Sequence, residues 1–229
     1  MSDLNPKPTK PDYQILPATQ SDCAAIAQVE ALSNFHASNT SPRCNPAQVI
    51  FPPPDDVSSR TKDLSDKTQN DPSMKMWKVV VTDQADGQEK IVSLAIWHFY
   101  PEPKAVDEWK DIEWPANAQG EACNAFIRGM AALRKKHMSG KTFGHLQVLA
   151  TLPEYRGFGM GSALVKIGLD EGMKMGLKVF WLEASADGYP LYQKFGFEVV
   201  EPYSFDLTKY GGDGPVQVRV MQKVVDASA

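Results

Sequence analysis

A strand that runs straight into a glycine-rich turn and leaves it as a helix constrains this chain more than any other feature. Residues 143–174 read FGHLQVLATLPEYRGFGMGSALVKIGLDEGMK, with Gly157, Gly159 and Gly161 alternating where the helix has to begin. Glycine weakens a helix interior and is kept where backbone bends sharply or must approach a ligand closely. A helix N-terminus also leaves four N–H groups without intrahelical partners and carries roughly half a positive charge. The stretch therefore predicts an anion cradle, for phosphate above all, in which any Cβ would hold the ligand off the backbone. Arg156 at its mouth would add a full charge and a forked donor.

Spacing separates the phosphate motifs that share this logic. A Walker loop needs Gly-x4-Gly-Lys-Ser/Thr, and no lysine follows Gly161. The dinucleotide fingerprint Gly-x-Gly-x-x-Gly/Ala meets Ser162 when counted from Gly157 and Leu164 when counted from Gly159. The acidic residue it wants about 20 residues on is present as Glu183, so a nicotinamide-type site keeps some weight. The motif nevertheless starts late in the chain, and too little follows it for a doubly wound sheet.

At 229 residues the chain has the length of one ordinary domain. Its net charge of −4 and pI near 5.6 provide no basic stripe for nucleic acid. Cys23, Cys44 and Cys123 are odd in number and far apart, without a CxxC pair. Beside four histidines they predict reduced thiols and no metal site. Residues 1–11 read as a disordered tail rather than a signal peptide, and no apolar run approaches the ~18 residues of a membrane span. A soluble, cytoplasmic protein is expected.

YQILPA reads as a strand, followed by a helix over TQSDCAAIAQVEALSNF with Ile26, Val29 and Leu32 at helical spacing and Thr19 or Ser21 as cap. Residues 38–75 are rich in Ser, Pro, Asn and Asp, with a helix expected over 55–68. MWKVVVTDQADGQEKIVSLAIWHFY reads as a hairpin turning at Ala85-Asp86-Gly87. A polar and helical stretch follows over 104–138, with Arg134, Lys135 and Lys136 suited to its C-terminal end. In the strand at 143–151, alternation puts Leu146, Val148 and Ala150 on one face and His145, Gln147, Leu149 and Thr151 on the other. KVFWLEAS, FEVVEPYSFDL and PVQVRVMQK supply further strands, so the fold class is α/β (α+β), a sheet flanked by helices.

Two motifs then fall into order. Arg156-Gly157-Phe158-Gly159-Met160-Gly161 has the form Arg-x-x-Gly-x-Gly, and Leu191-Tyr192-Gln193-Lys194-Phe195-Gly196-Phe197 the form Leu-Tyr-x-Lys-x-Gly-Phe. Together they resemble the acyl-CoA pyrophosphate loop and the later signature of the GNAT acetyltransferase superfamily. The resemblance is tight over 143–200 and looser over the first strand, the first helix and the hairpin. Phrases such as LEASADGYPLYQKFGF look most like fungal members. It implies the GNAT fold, a mixed and mostly antiparallel sheet of six to seven strands with a splayed centre, as a single domain over 12–229. Segments 38–75 and 104–138 would be its variable, acceptor-side parts. It further implies acetyl-CoA as co-substrate, no metal, and direct attack by a primary amine, expected to be a small molecule, in a ternary complex. Neither nucleic acid nor membrane is an expected partner, and the protein would be a monomer or homodimer.

The same resemblance assigns roles. Backbone N–H groups of Gly157, Phe158, Gly159, Met160 and Gly161 would hold the pyrophosphate, with Arg156 and the Ser162 hydroxyl beside them. Leu149, Ala150 and Thr151 would meet the pantetheine arm where the strand splays, and a backbone N–H there would polarise the thioester carbonyl. Tyr192 is the expected general acid, since a phenol of pKa about 10 stays protonated at pH 7. Composition alone would have it merely pack beside Phe195 and Phe197. An alkyl ammonium lies about three pKa units from its reactive form at pH 7, and Glu183 is the first choice of base, with a structural ion pair as its competing role. His145 and Glu113 are further candidates. Ser185 stands where the family commonly has Asn, which leaves its cofactor contact open. Trp97, Trp109, Trp114 and Tyr100 could wall the acceptor site, with core packing or a solvent-facing lid as competing roles. Two other classes stay compatible with the residues: a catalytically silent acyl-CoA-binding protein, and an NAD(P)-dependent oxidoreductase.

Overall fold

The computed structural model describes residues 10–36, 44–82 and 87–225. Along the chain the elements are β1 (Tyr13–Pro17), α1 (Cys23–Phe35), α2 (Pro46–Val49), α3 (Ser58–Asn70), β2 (Met74–Thr82), β3 (Glu89–Lys104), α4 (Gly120–Met138), β4 (Lys141–Thr151), α5 (Met160–Lys174), β5 (Val179–Ala184), α6 (Tyr189–Lys194), β6 (Glu198–Asp206) and β7 (Pro215–Val224). The strands form one sheet in the order β1-β2-β3-β4-β5-β7-β6. Only β4 and β5 are parallel, as a crossover through α5 requires, and every other pairing is antiparallel.

Strand alternation sorts the helices between the two faces. Lys75 and Lys78 lie three residues apart on β2 and so point to opposite sides. Lys75 reaches Glu171 of α5 at 2.6 Å, and Lys78 reaches Asp22 at the head of α1 at 2.6 Å. Beneath α5, glycines let an aromatic floor come close. A Cβ on Gly168 would stand 2.1 Å from buried Trp97, and one on Gly172 would stand 2.5 Å from Phe180. Trp97 stacks on Phe99 and meets Phe180 edge-on. Trp97 is therefore core, with no part in walling a site. On the other face α4 covers β4 to β7, with one cluster of Met138, Phe143, Trp181 and Val220 and another of Ile50, Phe126, Leu207 and Val218.

Three expectations need correction. First, 104–138 is not helical throughout: β3 runs on to Lys104, and α4 begins only at Gly120. Pro115 lacks an N–H and cannot sit inside a helix without breaking it. The strap between is pinned by Asn124, whose Oδ1 accepts from Trp109 Nε1 (3.3 Å), Trp114 Nε1 (3.0 Å) and Ile112 N–H (3.2 Å). Both tryptophans are thus strap anchors. Second, the helix expected over 55–68 spans Ser58–Asn70.

Third, the alternation of β4 changes phase. Trp97 pairs with Leu146 but Ile96 with Val148, so Gln147 is an extra, bulged residue. A one-residue bulge moves everything beyond it to the opposite face. Leu149 and Thr151 therefore join Leu146 on the α5 side, while Val148 and Ala150 join His145 on the side of α1 and α4. A turn at Ala85-Asp86 and most of the expected tail lie outside the described residues; Gly87 has the left-handed φ of 71° that a turn uses.

Gly168→Ala tests the close approach of α5. Alanine favours a helix by about 1 kcal/mol, but overpacking a buried indole costs about 1–3 kcal/mol. A net loss of about 1–2 kcal/mol is expected in urea unfolding; unchanged or raised stability would mean that α5 sits farther from the sheet.

Candidate active site

The sheet opens at its centre. β4 and β5 pair only through Gly144–Leu146 and Phe180–Leu182. Beyond these residues β4 stays with β3, and β5 stays with β7. The result is a V whose apex lies at Gln147 and Glu183. Ala150 and Leu152 turn their backbone toward β3, where Ala150 O accepts from Ser93 Oγ (2.8 Å) and Leu152 N–H donates to Val92 O (2.9 Å). By alternation Leu149 and Thr151 turn theirs into the opening. Thr151 O is taken by Arg156 Nε (3.1 Å), which leaves the Leu149 groups and Thr151 N–H as hydrogen-bonding sites for an extended ligand arm.

At the mouth of the V the chain makes one helical turn at Pro153–Tyr155 and then passes through Gly157 (φ 83°) and Gly159 (φ 86°). Both are left-handed, a region in which a side chain is strained. Nothing lies within 4 Å of where their Cβ atoms would be. Gly159 caps α5, and no side chain supplies a capping hydrogen bond. The first N–H groups of α5, from Met160, Gly161 and Ser162, are therefore left for a ligand or water. Gly161 closes the inner side of the cradle, where a Cβ would lie 3.5 Å from Leu191 of α6 and 3.7 Å from Leu149 of β4. Phe158 and Met160 turn inward against the core. An open glycine cradle on an uncapped helix, at the mouth of a split between strands, fits a phosphate-bearing thioester carrier with an extended arm.

Arg156 is not part of that cradle. Its Nε donates to Thr151 O (3.1 Å), Nη1 to His36 O (2.9 Å) and Nη2 to Ser33 O (2.9 Å). The guanidinium ties the end of β4 to the C-terminus of α1, where the helix dipole favours a cation. The cradle is thereby left without the arginine charge, to backbone groups and the Ser162 hydroxyl in the first turn of α5. On the other lip Ser185 is exposed, and its Oγ accepts from Gly188 N–H at 3.2 Å.

Tyr192 is 7% exposed on α6, with its ring packed edge-on against Phe197. Burial raises its pKa, which keeps the phenol protonated. Glu183, by contrast, is fully engaged. Its Oε1 accepts from Trp181 Nε1 (2.8 Å) and Arg134 Nη1 (3.1 Å), and its Oε2 from His145 Nε2 (2.9 Å). Burial alone would raise its pKa, but His145, the permanently charged Arg134 and these donors hold it at about 2. A carboxylate so paired is a poor proton acceptor, and the ion-pair role is the one the geometry assigns it. Glu113 sits exposed on the strap. Tyr100 packs on Phe143, with ring centres 4.9 Å apart. Arg134, His98 and Gln147 were not singled out as site residues from the sequence. His98 pairs directly with His145 across the ladder, a long-range register that no local pattern displays.

Residues 85–197 match the model of the Acetyltransferase (GNAT) family. Several solved structures share the fold. The polyamine N-acetyltransferase of Drosophila melanogaster, which forms N-acetylagmatine, aligns with a TM-score of 0.64 at 13% identity over 93% of this chain and 100% of that one. A mosquito arylalkylamine N-acetyltransferase like 5b gives 0.58 at 15% identity over 93% and 100%. YncA of Salmonella typhimurium, solved with its cofactor acetyl-CoA, gives 0.54 at 15% identity over 95% and 96%. At these identities the likeness establishes the fold alone. No curated protein sequence matches the chain significantly. The family match gives acyl-CoA-dependent acyl transfer as the general class of activity. Within that class, the chain belongs to the GNAT acetyltransferase superfamily.

Two substitutions separate cradle from staple. Gly159→Val should abolish acetyl-CoA binding by calorimetry, and retained tight binding would place the phosphates elsewhere. Arg156→Gln should lower stability by about 1–3 kcal/mol while leaving acetyl-CoA affinity within about twofold. A large loss of affinity without destabilisation would return Arg156 to the anion site.

Proposed function

We propose that this protein moves an acetyl group from acetyl-CoA to the primary amine of a small molecule, by direct attack in a ternary complex. The observation that carries the reading is the split between β4 and β5, with the uncapped start of α5 at its mouth. Backbone N–H groups from Gly157 to Ser162 hold the pyrophosphate, and Leu149 and Thr151 line the arm, whereas Ala150, expected there too, has its carbonyl bonded to Ser93 and its side chain on the other face. Acetyl-CoA supplies the activated thioester. The chain supplies orientation and proton transfer.

Because β4 crosses its bulge at the apex, the two substrates approach from different faces. The cradle lies on the α5 side, whereas His145, Gln147 and Val148 lie on the side of α1 and α4. Gln147 is exposed and Val148 half-buried, which leaves that face accessible to an acceptor. Tyr192 keeps its proton through burial and gives it to the departing sulfur. The net charge of −4 suits a cationic amine. The polyamine and arylalkylamine enzymes that share the fold act on small amines, which supports the same acceptor class here. No helix among the described residues is long and apolar enough to cross a membrane, and the three cysteines are free. Both suit the cytoplasm, where thiols stay reduced.

Thiol release from acetyl-CoA against a panel of polyamines, arylalkylamines and amino acids tests the reading. Turnover with at least one amine is expected; binding of NAD(P)H but not acetyl-CoA would overturn it. In Tyr192→Phe, kcat should fall by about 10²-fold or more with acetyl-CoA affinity retained. An unchanged kcat would remove Tyr192 from the reaction.

A further inference from the structure

A row of polar side chains crosses the sheet beneath the apex, on the acceptor face. It starts at Asp71 and Ser73, just before β2, and passes through His98 and His145 to Glu183 and Arg134. Both ring nitrogens of His98 are engaged, Nδ1 at 3.1 Å from Ser73 Oγ and Nε2 at 3.2 Å from Gln147 Oε1. His145 differs. Its Nε2 lies 2.9 Å from Glu183 Oε2, and an ionised carboxylate only accepts, so Nε2 carries the hydrogen. Arg134 Nη1, 3.4 Å from the same Nε2, is another donor and makes no hydrogen bond to it; it serves Glu183 instead. Nδ1 of His145 therefore keeps its lone pair, and it has no partner among the described residues.

Glu183 has given both its oxygens to Trp181, Arg134 and His145. The ring of His145 is the adjacent group with an acceptor to spare. It stands on the acceptor face, in the last pairs of the β4–β5 ladder before the strands part. Exposed Gln147 follows it on the same face.

We infer that Nδ1 of His145 takes the proton that the acceptor ammonium must lose, directly or across one water, with Glu183 and Arg134 as positioning residues. The inference rests on the acetyl-transfer reading. One N–H bond of the ammonium breaks as an Nδ1–H bond forms. The freed lone pair makes the C–N bond at the thioester carbonyl carbon, and the C–S bond breaks. Tyr192 gives its phenolic proton to the sulfur and regains one from the attacking nitrogen. The imidazolium releases its proton to solvent, so one proton leaves per turnover.

The charged and titratable groups facing the His145 ring are His98 from β3, Glu183 from β5 and Arg134 from α4. Burial lowers the pKa of His145, with Glu183 pulling upward and Arg134 pushing downward. Burial and His145 lower that of His98 to about 4. Both rings are therefore neutral at pH 7, as a base must be. A base works only when deprotonated, so kcat/KM should fall as the pH drops through the pKa of His145.

Two measurements test this. In ¹⁵N NMR of histidine-labelled protein, assigned through loss of a signal in His145→Gln, His145 should be a neutral Nε2–H tautomer at pH 7. An Nδ1–H tautomer or an imidazolium overturns the inference, whether or not substrates bind. In pH–rate profiles, Glu183→Gln should move the acid limb to lower pH and Arg134→Met should move it to higher pH. Shifts of the same sign, or none, overturn it as well, because a merely structural cluster has no reason to move the limb in opposite directions. His145→Gln should lose about 10²–10⁴-fold in kcat while acetyl-CoA affinity, which also reports folding, stays within about twofold; unchanged kcat overturns the assignment. Failure of the unaltered protein to bind acetyl-CoA would instead remove the acetyl-transfer reading itself.

Discussion

The parallel ladder between β4 and β5 lasts three residues, and the site depends on where it stops. Had it continued, Leu149 and Thr151 would have spent their backbone groups on β5, and no slot would lead from the glycine cradle into the sheet. Two features accompany its end. On β4 the bulge at Gln147 adds a residue and increases local twist, which turns the strand away from its parallel neighbour. On β5 the next residue is Glu183, held by Trp181 on its own strand and by Arg134 on α4. One strand is bent away while the other is anchored.

The positive charges near the site serve as structure. Arg156, which the glycine motif would send to the phosphates, is bonded to three carbonyls at the junction of β4 and α1. Arg134 is bonded to a buried carboxylate. What remains for an anion is the row of N–H groups on a 15-residue helix, held open by two left-handed glycines. Fixed dipoles of this kind need no reorganisation when a ligand arrives, whereas a free arginine would have to be ordered first.

What was legible in the sequence is what local chemistry determines. Gly157, Gly159 and Gly161 identify the cradle because only backbone conformation and close approach explain them, and LYQKFGF places Tyr192 on the helix beyond β5. The strands announced themselves by alternation. The failures share one cause, dependence on partners distant in sequence. Nothing local in HLQVLAT reveals that Gln147 is bulged, yet the bulge alone decides which face Leu149 and Thr151 occupy. Trp97 looked as eligible for a site wall as Trp109 or Trp114. Gly168, 71 positions away by residue number, is what makes it core. Glu183 read as a base because its strand position is right, and only Arg134 and His145 show that its charge is already committed.

The insertion between β3 and β4 therefore has a double part. Its strap is held by Asn124, 8% exposed and bonded to two indoles and a backbone N–H. Surface ion pairs such as Lys135–Glu108, with the glutamate 82% exposed, contribute little by comparison. The helix so anchored brings Arg134 to the apex of the V. A segment that would ordinarily be read as variable acceptor-side covering thus reaches the carboxylate behind His145. Removing one member of a buried ion pair leaves the other uncompensated, at a cost of about 3–5 kcal/mol. Changes in α4 that shape an acceptor groove therefore cannot be neutral toward the reaction centre unless they keep Arg134 in place. On the proposed reading, the acceptor side and the proton-handling side of this protein are one packed unit.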